Sequence, residues 1–178
     1  HGESHPFTIA SNWNPENQEI NLIIKDLGDY THRLPQRLNI GHTVQIDGAY
    51  GRFNFSDKNE QIWVSNGIGF TPFLARLKEL AKQPSNQPID WFHTDRNLAA
   101  EIIDQWKDLA QQANVTFHYI PSETQRLSAD YIAQSVQNSG NRSLWLCGSR
   151  SFTSGDLCKI PFLPTAEIQT RVFSCFLL

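Results

Sequence analysis

The sequence predicts an α/β protein in which an antiparallel β-rich segment precedes a parallel sheet with helices between its strands. Three observations support this prediction. Between residues 5 and 55, apolar and polar residues alternate with a period of two, which is typical of half-buried strands. From residue 61 onward, short apolar runs alternate with segments of helical period. A glycine-rich turn at residues 67–71 separates the first of these runs from the first helical segment.

The front segment contains short stretches that we interpret as antiparallel strands. Phe7 and Ile9 begin the pattern, and residues 19–26 place three aliphatic side chains on one face. Residues 43–47 repeat the alternation before a turn at residues 47–51. The sequence therefore predicts an antiparallel β region in residues 1–58, which is too short to close a barrel alone.

The remaining residues, 59–178, are predicted to form one α/β domain. Strands alternating with helices form parallel sheets through right-handed crossovers. Strands are predicted at the buried apolar runs 62–64, 89–93, 115–120 and 144–147. A helix is predicted at residues 72–81, and another begins after Ser128, a favourable N-cap. A long helix lies between them, with an apolar face formed by Leu98, Ile102, Trp106, Leu109 and Ala113.

Composition excludes several function classes. The chain has 178 residues, 18 acidic and 15 basic side chains and a net charge of −3, so it lacks the basic field of a nucleic-acid binder. The mean hydropathy is −0.43, and no apolar run is long enough to span a bilayer. The six histidines show no metal-ligand spacing, and we read His93 and His118 as structural. No lysine follows Gly69 as it would in a phosphate loop, which argues against nucleoside triphosphate hydrolysis.

Two further features of composition concern the origin of the chain. Its three cysteines, an odd number without a zinc pattern, favour a reducing compartment; they are Cys147, Cys158 and Cys175. The chain contains no methionine, so we expect it to be a fragment of a longer polypeptide.

The hexapeptide Gly67-Ile68-Gly69-Phe70-Thr71-Pro72 is the sharpest local signal for ligand binding. It stands between a predicted strand and a predicted helix, where glycines allow the backbone to approach a ligand closely. Thr71 is expected to cap the helix, and Pro72 suits its first turn. Free amides at such a helix start favour a phosphate group. The alternative is an ordinary glycine-rich turn between strand and helix.

Two weaker signals gain meaning from their positions. His5-Pro6-Phe7-Thr8 places an aromatic ring and a hydroxyl on one strand, which could stack on a heterocycle and hydrogen-bond its edge. By itself it is more typical of an ordinary strand start. Cys147 and Gly148 end the last clear strand, at the sheet edge where open parallel sheets bind ligands. The alternative for Cys147 is a buried apolar cysteine.

Taken in order, these motifs resemble the ferredoxin–NADP reductase superfamily, and most closely its ferric reductase and NADPH oxidase branch. The resemblance runs from His5 to about residue 157. It implies a Rossmann-like, five-stranded parallel sheet of the ferredoxin reductase C-terminal type, preceded by a partial FAD-binding β-barrel. Three of the motifs that carry it belong to the flavin domain: residues 5–8 for the flavin, 28–31 for the FAD phosphates and 47–51 for the end of the domain. Two belong to the nucleotide domain: residues 67–72 for the nicotinamide nucleotide and 146–148 for the C-terminal Cys-Gly pair.

For FAD, the resemblance implies roles for matched residues in the front segment. Phe7 would pack against the isoalloxazine, next to Pro6, and Thr8 would hydrogen-bond near flavin N5. His5 stands where relatives carry an arginine near the FAD phosphates. The pyrophosphate would lie by three residues of the following segment, which are Lys25, Gly28 and Thr31.

For the nicotinamide nucleotide, the resemblance implies that Gly67, Gly69 and Thr71 hold the pyrophosphate. Cys147, followed by Gly148, would approach the nicotinamide ring, so Thr8 and Cys147 are the candidate catalytic residues. Three further residues fall in the adenosine-ribose region or could reach it: Thr94, Arg96 and Arg126. Either arginine could pair with a 2′-phosphate and favour NADPH, or could be a solvated surface charge.

The resemblance implies an NAD(P)H-dependent flavoprotein oxidoreductase that passes hydride to FAD and then electrons to haem, ferric iron or oxygen. The cofactors are FAD and either NADPH or NADH. The partner is a membrane haem domain encoded upstream in the same polypeptide, which would place this segment on the cytoplasmic side of a membrane. A soluble ferredoxin- or flavodoxin-type reductase is one alternative. A non-catalytic nucleotide-binding module is another, because the barrel is incomplete and residues 160–178 differ from the family's usual ending.

Overall fold

The computed structural model describes residues 5–16, 18–48, 50, 53–55, 60–136, 142–155, 157 and 168–172. The predicted α/β class and parallel sheet are confirmed. Several sequence expectations lie outside the described residues: Cys158, Cys175, part of the turn at 47–51 and most of residues 160–178. The described strands are β1 (Glu60–Asn66), β2 (Ile89–Asp95), β3 (Val115–Pro121), β4 (Arg142–Gly148) and β5 (Ile168–Val172). The helices are α1 (Asp29–Arg37), α2 (Thr71–Leu80), α3 (Ala100–Gln112), α4 (Ala129–Ser135) and α5 (Arg150–Thr153).

The sheet has the strand order β3-β2-β1-β4-β5, and every neighbouring pair is parallel. The chain therefore runs outward from β1 to β3, then returns to the centre and runs outward the other way. The order reverses between β1 and β4, so a crevice is expected at the carboxyl ends of these two strands. The edge strand β5 was implied only by the family resemblance, because no apolar run marks it.

The two faces of the sheet form two apolar layers. On one face the parallel register aligns an aromatic row of four residues, and α2 and α3 cover it. That row consists of Trp145, Trp63, Trp91 and Phe117. On the other face Phe92, Leu144 and Leu146 pack against Ile132 of α4. Helices on both faces explain why the strands carry continuous apolar runs rather than alternating patterns.

The helices predicted at residues 72–81 and after Ser128 begin within one residue of the predicted positions. Pro72 lies in the first turn of α2, where a missing amide proton costs nothing. The Ser128 hydroxyl accepts a hydrogen bond from the Tyr131 amide at 3.2 Å, which confirms the predicted N-cap of α4. None of the described helices combines the length and apolar character needed to cross a bilayer.

The front segment is less regular than its alternating sequence predicts. Among its described residues the only bridge joins Ile9 to Leu22 in antiparallel orientation, and the Ala10 amide donates to the Asn21 carbonyl at 2.8 Å. The strands predicted at 19–26 and 43–47 form no ladder within the described part of the chain. The apolar alternation is present, but strands are stable only where neighbouring strands pair with them. Helix α1, by contrast, was not predicted.

An ion-pair cluster lies at the amino edge of the sheet, opposite the expected crevice. Arg142 at the start of β4 is 3% exposed. Its Nε lies 3.0 Å from Oε2 of Glu60, and its Nη1 lies 3.0 Å from Oδ2 of Asp90. Oδ1 of Asp90 contacts Nε2 of His118 at 3.1 Å, and the His118 ring stacks on Phe92. The cluster thus links β1, β2, β3 and β4, so His118 has the structural place expected from its position in a strand.

Candidate functional site

The glycine-rich turn follows β1 directly at the point where the strand order reverses. A single 3₁₀ turn, Gly67–Phe70, continues without a break into α2. Gly67 has φ +51°, a left-handed conformation that favours glycine. A side chain built there would meet its nearest atoms only at 4.0 Å, so the space above this residue is open. An open left-handed glycine at the start of a helical segment suits the close approach of a phosphate group.

Gly69 is a glycine for a different reason. A Cβ atom at this position would overlap the Cys147 carbonyl, lying 2.6 Å from its carbon and 2.9 Å from Cα of Gly148. The turn after β1 is therefore in backbone contact with the end of β4. A Cβ on Gly148 would in turn lie 2.9 Å from Cδ1 of Phe152. The structure thus brings together the two predicted glycine-containing segments, 67–71 and 147–148, at the crevice between β1 and β4.

Thr71 does not occupy the position that its sequence suggests. The expectation that it caps α2 is wrong, because it is the first residue of the helix and Phe70 precedes it as the N-cap. Its hydroxyl donates to the Ile68 carbonyl at 3.2 Å, and its amide bonds to the same carbonyl. The 3₁₀ turn lengthens the helical segment toward its amino end. Residues 67–69 rather than Thr71 therefore present the outermost amides.

Cys147 is fully buried on the sheet face covered by α2 and α3. The register places it beside Ser65 of β1, and His93 and Tyr119 continue the same row across β2 and β3. Its thiol belongs to the apolar cluster, which agrees with the alternative reading of a buried cysteine. Its backbone forms the floor under Gly69, so a role at the nicotinamide ring stays a prediction.

Among the described residues at this edge, His93 is the titratable group whose pKa is strongly shifted. Burial lowers the pKa of His93 to about 4, against smaller raising effects from the Asp95 carboxylate and from Ser65. Its Nδ1 lies 2.8 Å from the Ser65 hydroxyl, which also accepts a hydrogen bond from the Trp91 indole at 2.9 Å. Within the described structure Nε2 has no hydrogen-bond partner. The imidazole is therefore neutral at pH 7 and contributes no positive charge to the crevice.

The buried His93 should make the fold sensitive to acid. The folded pKa lies below the unfolded value of 6.5, so the unfolded chain binds the proton more tightly. Stability is therefore lost as the pH falls from about 6.5 toward 4, by up to about 3 kcal/mol. We expect His93→Phe, which keeps an aromatic ring, to flatten this dependence in urea titrations at pH 7 and pH 5. If the variant and the wild type lost the same unfolding free energy between pH 7 and pH 5, this prediction would be contradicted.

Two lysines connect the front segment to the sheet domain. The ammonium of Lys25 lies 4.0 Å from the position that a Cβ on Gly67 would occupy, at the open side of the turn. The ammonium of Lys78 on α2 donates to the buried Ala10 carbonyl at 3.1 Å. The resemblance assigned Lys25 to the FAD pyrophosphate, whereas the structure brings it to the glycine turn after β1.

The two segments expected to contact FAD lie together in the front of the chain. The His5 ring stacks on Tyr30 with centroids 3.4 Å apart, and Phe7 lies 6.5 Å from Tyr30. The Thr31 hydroxyl accepts from the Leu27 and Gly28 amides at 2.9 and 3.1 Å, which fixes the start of α1. Gly28 is the residue that precedes this helix as its N-cap. The stacked rings and the nearby helix start fit a flavin nucleotide. The Thr31 hydroxyl is already bonded to the Leu27 and Gly28 amides at the start of α1. Sequence reasoning missed Tyr30 as a stacking partner.

The residues expected near the adenosine ribose do not all reach the crevice. Thr94 is 4% exposed, and strand alternation directs it to the α4 face, away from the glycine turn. Arg96 and Arg126 are exposed, and neither forms an ion pair within the described part of the chain. Asp95, which the sequence reasoning passed over, directs Oδ2 to within 4.0 Å of the Cβ position on Gly67. An acidic residue at the end of the second strand was the signal that could have identified it.

Comparison with known sequences points to the same chemistry. Residues 2–67 match a protein family described as FAD-binding domain. Ferric reduction oxidase 4 of Arabidopsis thaliana is 36% identical over 88 residues, which are 47% of this chain and 13% of the relative. Dual oxidase 1 of Caenorhabditis elegans is 35% identical over 103 residues, covering 53% of this chain and 6% of the relative. The chain therefore spans only a small part of the length of these relatives.

Solved structures share the fold across almost the whole chain. The flavohem-like FAD/NAD binding domain of nitric oxide dioxygenase from Vibrio cholerae has a TM-score of 0.68 at 18% identity, covering 94% of this chain and 76% of that one. Ferredoxin-NADP+ reductase from Plasmodium falciparum, solved with 2'P-AMP, has a TM-score of 0.68 at 18% identity, covering 94% of this chain and 75% of that one. At these identities the similarity establishes the fold.

Proposed function

We propose that this chain, which belongs to the ferredoxin–NADP reductase superfamily and to its ferric reductase-like branch, is the nucleotide-binding part of an NAD(P)H-dependent flavoprotein oxidoreductase. Residues 59–178 would form the NAD(P)-binding domain and residues 1–58 part of the FAD-binding domain. The observation that carries the proposal is the backbone contact of Gly69 with Cys147 and Gly148 at the reversal of strand order. In the described part of the chain, two glycine-containing segments meet there, at the switch point where this type of sheet binds ligands.

The residues of the sheet domain would bind and orient the nicotinamide nucleotide. The amides of residues 67–69 and the Lys25 ammonium would hold its pyrophosphate, since both lie at the open side of the Gly67 turn. The lack of side chains at Gly69 and Gly148 lets the turn after β1 pack directly on the end of β4, which would shape the floor of the nucleotide site. Cys147 would support the nicotinamide ring from below. Holding the ring in one orientation lowers the barrier, because the reacting groups no longer have to find each other.

The residues of the front segment would bind the flavin. Phe7 would pack against the isoalloxazine, Thr8 would hydrogen-bond its edge, and His5 with Pro6 would border the phosphates. The first turn of α1, after Gly28, would offer amides to the pyrophosphate. Two observations support a shared crevice: Lys78 of α2 donates a hydrogen bond to the Ala10 carbonyl of this segment, and the Lys25 ammonium lies near the open side of the Gly67 turn. When bound, NAD(P)H supplies a hydride and FAD accepts it.

The electron acceptor is proposed from the relatives. The names of the relatives, ferric reduction oxidase and dual oxidase, support ferric iron or oxygen as the recipient of electrons from reduced flavin. The family resemblance implies a haem on a membrane domain of the same polypeptide, which would pass the electrons on. The chain would then work on the cytoplasmic side of that membrane.

The test is anaerobic mixing of the complete, FAD-loaded protein with NADH or NADPH while the oxidised flavin absorbance is followed. We expect rapid bleaching with at least one nucleotide. Nucleotide binding without bleaching would instead support a regulatory module, and no binding at all would contradict the proposal. Bleaching in a complete protein without membrane segments would favour a soluble reductase.

Cys147→Ala should separate chemistry from binding. If Cys147 supports the nicotinamide ring, its loss lowers the flavin reduction rate several-fold, while the nucleotide dissociation constant changes little. Stopped-flow reduction and equilibrium titration measure the two quantities separately. Unchanged reduction would remove Cys147 from the site.

A further inference from the structure

Two side chains of opposite charge border the open space above the glycine turn. Oδ2 of Asp95 and the ammonium of Lys25 each lie 4.0 Å from the position that a Cβ on Gly67 would occupy. The two charged groups are therefore at most twice that distance apart. Within the described part of the chain neither of them belongs to an ion pair. A ligand that enters the space above Gly67 would contact both charges.

The carboxylate is held more firmly than the ammonium. Oδ1 of Asp95 accepts a hydrogen bond from the Arg96 amide at 2.6 Å, and the Asp95 carbonyl accepts one from the Ser122 amide at 2.9 Å. Asp95 is half-buried at the end of β2, whereas Lys25 is exposed on the front segment. A long exposed side chain keeps most of its rotamer freedom. The negative charge therefore stays in place when a ligand enters, and the positive charge can follow the ligand.

A pyrophosphate bound at this turn would be attracted and repelled at once. The amides of residues 67–69 and the Lys25 ammonium favour an anion. Oδ2 of Asp95 borders the same open space, so it would lie beside the pyrophosphate and not only beside the lysine. Like charges at this range weaken binding, and the half-buried position of the carboxylate limits screening by salt. The site thus contains a fixed charge that opposes its own ligand.

We infer that Asp95 limits the affinity of this site for the nucleotide pyrophosphate and thereby speeds nucleotide exchange, an inference that rests on the proposed function. The reduced and oxidised nucleotides carry the same pyrophosphate, so attraction there holds the product as firmly as the substrate. Such uniform binding does not speed the chemical step once the enzyme is saturated. Product release limits turnover in many enzymes. A carboxylate beside the pyrophosphate weakens this shared attraction and lets the oxidised nucleotide leave.

A different role for Asp95 would be to hold Lys25 over the turn by attraction. That role predicts the opposite sign, because loss of the carboxylate would then weaken nucleotide binding. The geometry favours the opposing role. Oδ2 faces the same point above Gly67 as the ammonium does, and it would remain there after the pyrophosphate had engaged Lys25.

The test titrates the complete, FAD-loaded protein with ADP-ribose and with 2′-phospho-ADP-ribose, which report binding without any redox step. Asp95→Asn keeps the shape of the side chain and an acceptor for the Arg96 amide but removes the charge. It should tighten binding of both compounds at least about fivefold and by similar factors, because both carry the pyrophosphate. Displacement kinetics should show slower dissociation of the oxidised nucleotide. In about 1 M NaCl the difference from the wild type should shrink.

Matched variants separate this role from a general effect of charge. Asp108→Asn removes the same charge from an exposed position in the C-terminal half of α3 and should change neither affinity. Lys25→Met should weaken binding of both compounds, and its combination with Asp95→Asn should give an affinity between those of the two single variants. The inference is overturned if Asp95→Asn weakens binding, leaves it unchanged, or tightens binding of only one compound. If neither compound bound to the wild type or to Asp95→Asn, the proposed function would be contradicted, and the inference with it.

Discussion

Replacing Gly69 with alanine is expected to weaken nucleotide binding at least about tenfold and to destabilise the fold by about 1–3 kcal/mol. The added Cβ would lie 2.6 Å from the carbonyl carbon of Cys147 and 2.9 Å from Cα of Gly148. Both neighbours are backbone atoms of a buried strand, so the turn after β1 must move away from β4. That movement opens the crevice and displaces the amides of residues 67–69. Nucleotide titration and urea denaturation measure the two effects.

Gly155→Ala is the matched control for Gly69→Ala. A Cβ at Gly155 would meet its nearest atom, the Ser151 carbonyl oxygen, at 3.5 Å, which is ordinary van der Waals contact. This variant should therefore change the unfolding free energy by no more than about 0.5 kcal/mol. If Gly69→Ala had the same nucleotide affinity and unfolding free energy as Gly155→Ala, the inferred close contact between the turn after β1 and the end of β4 would be contradicted.

Replacing Arg142 with methionine is expected to cost about 3–5 kcal/mol of stability. The guanidinium is almost fully buried and contacts the carboxylates of Glu60 and Asp90, each at 3.0 Å. Methionine has a similar length but no charge, so two carboxylates would lose their counter-ion in a poorly solvated place. Urea denaturation at pH 7 gives the change in unfolding free energy.

A surface ion pair provides the comparison for Arg142→Met. Lys107 pairs with Asp104 at 3.1 Å on the exposed side of α3, and Lys107→Met should cost less than about 1 kcal/mol. Adding Glu60→Gln and Asp90→Asn to Arg142→Met should recover part of the loss, because the uncompensated charges are then removed. If Arg142→Met and Lys107→Met lowered the unfolding free energy equally, burial of the Arg142 ion pairs would add nothing to their effect on stability.

The sheet domain could be predicted from sequence because its local and long-range signals agree. The apolar runs that became β1, β2 and β4 are buried on both faces, so their hydrophobicity is continuous and easy to recognise. Ser128 marks the start of α4 by its own hydroxyl. Strand β5 has no such signal. In the front segment the alternation predicted strands, but pairing depends on partners that sequence pattern alone does not supply.

The site was predictable where backbone geometry depends on residue type and less so where side-chain direction matters. Gly67 and Gly69 are at the crevice because only glycine satisfies the positive φ or the close contact. Thr71 was predicted to cap α2 and Thr94 to lie near the adenosine ribose, yet the hydroxyl of the first is bonded within its turn and the second points to the opposite face. Asp95 differs from Thr94 by one strand position, which reverses the face that it occupies.

The central claim is that flavin and nicotinamide meet in a fixed orientation where the front segment faces the crevice between β1 and β4. The most direct test mixes the anaerobic, FAD-loaded complete protein with NADH deuterated on one or the other face of nicotinamide C4. A single fixed orientation predicts that only one of the two labels slows flavin bleaching. Equal slowing by both labels, or by neither, would contradict a fixed meeting of the two rings at this site.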